Sequence, residues 1–147
     1  MTAGGRAEKF PLFLSSSTEQ VLATGVSTGY GLEDDSKLTK VYLPKDPNLV
    51  LEQASSSATK VDAQSKLRLV RQVMAGVHLA AAAEAMSLGA KVGLDTKQLF
   101  EIISTAAGSS WMFKDAAPQM LSGAWTSKRT VDDVIAELVS SFNVYRS

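Results

Sequence analysis

Arg68 and Arg71 are the residues whose type and spacing best suit chemistry in this chain. They stand three apart in a helical pattern, so their guanidinium groups share one face and can hold a carboxylate or an enolate between them. His78 follows Arg71 by seven residues, about two turns on and on roughly the same side. It is the chain's single histidine, the side-chain type best suited to move a proton near neutral pH. These side chains suit anion binding with a proton transfer. Simpler readings compete: ion-paired surface arginines and a hydrogen-bonded histidine inside a helix bundle. The same choice applies to Ser109, Ser110, Trp111 and Phe113, which either approach a substrate or serve as a helix cap and core anchors. Asp34-Asp35 and Asp132-Asp133 stand at helix starts, where capping and dipole complementarity explain them better than acid–base work.

Composition narrows the alternatives. The 147 residues carry 15 basic and 15 acidic side chains, with a formal net charge of zero. No basic excess points to nucleic acid, and no polybasic segment points to an anionic membrane. Without cysteine there is neither disulfide nor thiolate chemistry, and one histidine makes zinc a poor fit. The longest apolar run, around Val77 to Ala83, falls short of the roughly 20 residues that span a bilayer. The N-terminal residues lack the apolar core of a signal peptide. A cytoplasmic protein is expected.

The elements that must position these residues read as helices. One spans about 16–30, with Ser17 as its cap and Gln20 as a capping-box partner. A second spans about 33–42, opened by Asp34 and Asp35 and stopped by Pro44 and Pro47. Residues 44–60 read as a Pro/Ser linker with at most a helical turn at 49–52. A long helix follows over 61–91. Leu67, Val70, Met74, Val77, Ala81 and Met86 recur along it, and its second half is rich in alanine, which lets neighbours approach closely. Further helices span 96–107, capped by Asp95; 111–121, containing Pro118; and about 130–145, capped by Thr130. Only Phe10 to Leu14 alternates as a strand would. The fold class is all-α, with five to seven helices.

Several segments carry a joint resemblance. Lys66 to Gly89 resembles the first long helix of the substrate domain of β-hydroxyacid dehydrogenases, relatives of 6-phosphogluconate dehydrogenase. Gly93-Leu-Asp-Thr-Lys-Gln-Leu-Phe-Glu-Ile-Ile-Ser104 resembles that family's A-G-L-D-x-x-x-L-x-x-I-I-S, and Ala107 to Phe113 its A-G-x-S-W-M-F. Thr126 to Leu138 resembles the segment that carries the family's K-D-L. The resemblance implies a bundle of the 6-phosphogluconate dehydrogenase C-terminal type. Lys9 to Ser15 and Gly25 to Ser36 resemble the end of the same domain, with P-L-P-L and G-x-G-x-x-D-D-S. The tail thus precedes the head. The expected organisation is one all-α domain over 1–147, circularly permuted or domain-swapped, with 1–43 as the family's end, 44–60 as linker and 61–147 as its beginning. Residues 1–43 are expected to pack beside 125–147, within one chain or between two, and a homodimer is expected, for which the linker's reach admits domain exchange.

The resemblance also implies where chemistry has changed. The family's K-x-x-N pattern places its lysine at Arg68 and its asparagine at Arg71. An arginine stays charged at ordinary pH, so it clamps carboxylates well and shuttles protons poorly. Asp62 and Gln64 stand where the family has glycines, and Ala136 followed by Glu137 where it has K-D. No G-x-G-x-x-G and no βαβ pattern offer a dinucleotide cradle. The expected function is a cofactor-free, non-redox step, a cyclisation or isomerisation, on a small organic acid or polyketide-like molecule. Arg68 and His78 would be catalytic, with Arg71, Ser109, Ser110, Trp111 and Phe113 binding substrate. A non-catalytic dimerisation module and a truncated piece of a tandem dehydrogenase are the alternatives.

Overall fold

The structure, a computed structural model, describes residues 2–54, 60–124 and 129–146. Among them there is no strand, which matches the all-α expectation. The chain divides into two compact units, 1–59 and 60–147.

The first unit holds helices α1 (Thr2–Ala7), α2 (Phe13–Gly25), α3 (Thr39–Tyr42) and α4 (Leu49–Ala54). Phe13 and Leu14 belong to α2, so the alternation at Phe10 to Leu14 makes no strand. Helix α2 begins three residues earlier than its polar residues suggest. Leu12 precedes it without a side-chain cap, and Ser17 Oγ donates back to the Phe13 carbonyl from inside the helix. A π-helical turn, Val26–Tyr30, continues it and breaks at Gly29, whose φ of 95° suits glycine. The expected helix over 33–42 is split. A 3-10 turn, Asp35–Leu38, is capped by Asp34 and leads into α3. The cap contacts of Ser36 hold the Asp34 carboxyl below the usual range. Within 44–60, α4 extends the predicted turn, and residues 55–59 lie outside the described residues.

The second unit holds α5 (Lys60–Lys91), α6 (Thr96–Thr105), α7 (Trp111–Ser122) and α8 (Val131–Arg146). Its caps are those read from the sequence. Asp95 Oδ1 accepts from the Lys97 and Gln98 amides at 2.8 and 3.1 Å. Ser110 Oγ accepts from the Phe113 amide at 3.0 Å. Thr130 and Asp133 cap α8 reciprocally, with Thr130 N–H donating to Asp133 Oδ2 at 2.7 Å and Asp133 N–H to Thr130 Oγ1 at 3.1 Å. Pro118 sits inside α7 without ending it, and Gly123 closes that helix at a φ of 63°.

Burial is uneven along α5. Ala82 and Met86 pack with Phe113 and Ala117 of α7 into the core, ringed by Leu99, Phe100, Ile103, Met120 and Leu121. The Phe100 and Phe113 rings stack with centroids 5.8 Å apart. Gly89 lets α6 approach: a Cβ there would lie 2.2 Å from Leu99 Cδ2. Leu67, Val70, Met74 and Val77, which share the apolar spacing of α5, are instead exposed. Within Lys66–Lys91 an 18-residue stretch reaches a mean hydropathy of 1.3, enough to cross a membrane by length and composition. The short unbroken apolar run read from the sequence is compatible with that average. Alanine and glycine raise the average without forming an unbroken run of large apolar residues.

Candidate functional site

Three elements of the second unit frame a cleft of about 650 Å³. One wall is the first half of α5, which supplies Arg68, Val70, Arg71, Met74 and His78. Trp111 and Met112 enter from the start of α7. Arg129, just before α8, and Glu137, within it, complete the lining. Helical geometry explains the α5 wall. Arg68 and Arg71 are about 4.5 Å apart along the axis, and His78 returns to the Arg71 face after about 700° of rotation. Gly76 lets α8 come close beside this wall: a Cβ there would stand 3.2 Å from Leu138 Cδ1.

The cleft lining combines charged side chains with apolar ones. Arg68 and Arg71 are exposed, His78 is half-buried, and neither arginine has a carboxylate partner among the described residues. Arg129 does have one, the Glu137 carboxylate. The indole of Trp111 is 73% exposed, so this residue is a cleft wall rather than a core anchor. Such a surface suits a ligand with an anionic head and a carbon body, the head meeting guanidinium groups and the body meeting Trp111 and Met74.

The structure brings Arg68, Arg71, His78 and Trp111 together and leaves the other predicted site residues elsewhere. Phe113 is 4% exposed and belongs to the core. Ser110 is occupied as the α7 cap. Ser109 Oγ is buried with no hydrogen-bond partner, as is Ser104 Oγ, and neither lines the cleft. Arg129 and Glu137 escaped the sequence reading. Eight residues apart and partly outside a helix, they follow no helical spacing that would group them with the α5 residues. No group of three or more metal-ligating side chains occurs among the described residues.

Residues 63–138 match the family model described as NAD-binding of NADP-dependent 3-hydroxyisobutyrate dehydrogenase. The chain belongs to this β-hydroxyacid dehydrogenase family. Similar proteins include the L-threonate dehydrogenase of Cupriavidus necator, 45% identical over 76 residues that cover 52% of this chain and 26% of the relative. The L-threonate dehydrogenase of Escherichia coli K12 is 33% identical over 93 residues, covering 60% and 31%. That of Haemophilus influenzae is 38% identical over 72 residues, covering 49% and 24%. The matched part of the chain thus spans less than a third of the length of these dehydrogenases. No solved structure matches the chain. All of the cleft lining and all of the core cluster fall within the matched residues.

Proposed function

We propose that the second unit binds a small organic acid in this cleft and acts on it, if catalytic, by a non-redox proton transfer of the isomerisation or cyclisation type. The observation that carries the reading is the cleft itself, which gathers two arginines with no acidic partner among the described residues and the chain's single histidine against apolar side chains. Arg68 and Arg71 would grip the carboxylate and stabilise an enolate formed next to it. His78 would take the proton from the carbon beside the carboxylate and return it to that same carbon or, in an unsaturated acid, to the far end of the conjugated double bond, leaving the ligand's oxidation state unchanged. Hydroxy acids like the L-threonate that names the relatives are the first ligands to test, and the Trp111 wall extends the range to more apolar, polyketide-like acids.

The family model's description speaks of NAD. A dinucleotide's pyrophosphate is usually held by a Gly-rich turn between a strand and a helix. The described residues of this chain supply no such turn, and the proton transfer assigned to His78 needs no hydride carrier.

Calorimetry with L-threonate and related acids tests the reading. Arg68→Ala should weaken binding at least tenfold, about 1.4 kcal/mol, with an unchanged unfolding midpoint. Exchange of solvent deuterium into the bound acid should require His78. Saturable NADP binding with turnover by this chain alone would overturn the cofactor-free reading.

A second reading rests on the exposed Leu67, Val70, Met74 and Val77 of α5 and Ile135 and Val139 of α8. A face this apolar suits a protein partner, and under this reading the chain is a dimerisation module. The tail-first motif order would then be closed between two chains, by domain exchange through residues 44–60. Light scattering separates a monomer from a dimer.

A further inference from the structure

Three guanidinium groups face the cleft, of Arg68, Arg71 and Arg129, against the single carboxylate of Glu137. The positive groups form two separate stations. Arg68 and Arg71 lie on α5, and Arg129 lies at the head of α8. A ligand with one carboxylate can satisfy only the first. The second is already engaged inside the protein, because Glu137 holds Arg129. That pair is open to water, with the two side chains 37% and 40% exposed. An ion pair in such a setting is weak, and a ligand anion tethered nearby competes with it at high effective concentration. The volume of about 650 Å³ leaves room for a carbon chain between the stations.

We propose that the cleft is built for an acid with two anionic groups, one seated on Arg68 and Arg71 and the other taking Arg129 from Glu137. Glu137 is then an internal stand-in for the second anionic group. It neutralises Arg129 when the cleft is empty and is released when a doubly charged acid enters. The inference rests on the acid-binding reading above and adds to it a ligand class and a competing side chain. The second group is a carboxylate or a phosphate, since a guanidinium receives either in the same bidentate geometry.

Calorimetry on the full chain at fixed ionic strength distinguishes the possibilities, with butyrate and L-threonate as single-headed acids, succinate and glutarate as dicarboxylates, and 3-phosphoglycerate as the phosphate-bearing arm. Either two-headed class should bind at least tenfold more tightly than the single-headed acids, and the tighter class identifies the second group. Arg129→Gln should erase that advantage without weakening the single-headed acids. Glu137→Gln, a near-isosteric change, should tighten two-headed acids several-fold and leave single-headed ones unchanged. Equal affinity for both classes, or an advantage that survives Arg129→Gln, would overturn the proposal while the acid-binding reading stands. If no acid binds, both fall.

Discussion

The two halves of α5 differ in what they are packed against. The second half, from Ala82 to Gly89, carries small side chains and lies against α6 and α7 in the core. The first half carries Leu67, Val70, Met74 and Val77, larger and more apolar, yet leaves them exposed beside the cleft. Burial thus follows close approach rather than hydrophobicity. Where alanine and glycine let a neighbour in, contacts form; where larger side chains hold neighbours off, a cleft is left. The packed half of the helix fixes the direction of the half that lines the cleft.

The largest expected effect breaks the packed half. Phe113→Ala removes the ring that seats Ala82 and Met86, and should cost about 3–5 kcal/mol in denaturant unfolding. A comparable loss from Met74→Ala would erase the contrast between the halves. Paired glycine substitutions sharpen it. Gly89→Ala places a methyl group 2.2 Å from Leu99 Cδ2, so Leu99 must leave its position against the core. The expected loss is about 1–3 kcal/mol. Gly76→Ala meets Leu138 at 3.2 Å, which a small shift relieves. The helix propensity gained, up to about 1 kcal/mol, should make it neutral or stabilising. Equal thermal shifts for the two variants would show that approach distance does not govern the halves.

The smallest effect concerns the cap of α8, which flanks the open half. The Thr130 amide and hydroxyl donate to Asp133 and hold its carboxyl below the usual range. The folded value is depressed, so the cap's contribution is complete above the unfolded carboxylate value of about 3.9 and is lost as pH falls through the folded one. Amide exchange at the start of α8 should accelerate below about pH 4, and Asp133→Asn should flatten that dependence.

Legibility in the sequence follows the same division between local and distant causes. The starts of α6, α7 and α8 were readable because Asp95, Ser110 and Thr130 cap them through residues two or three positions away. The start of α2 was not, because Leu12 precedes it without a side-chain signal and Ser17 bonds inside the helix. Arg68, Arg71 and His78 could be grouped because one helix fixes their spacing. Whether Trp111 or Phe113 faces the core depends on which side α5 and α6 cover, and no local pattern carries that information. Arg129 and Glu137 join the cleft through the packing of α8 beside α5, which no local pattern encodes.

The position of α5 in the order of synthesis has its own consequence. Within its unit, the helices that cover it, α6, α7 and α8, are all made after it. A ribosome therefore releases a 32-residue helix-forming segment with an apolar 18-residue stretch before any of its partners within the unit exists. Until residues near Leu138 emerge, that segment is a target for chaperones and for self-association. The yield of soluble protein should therefore be limited by the wait for α8 rather than by the stability of the finished bundle.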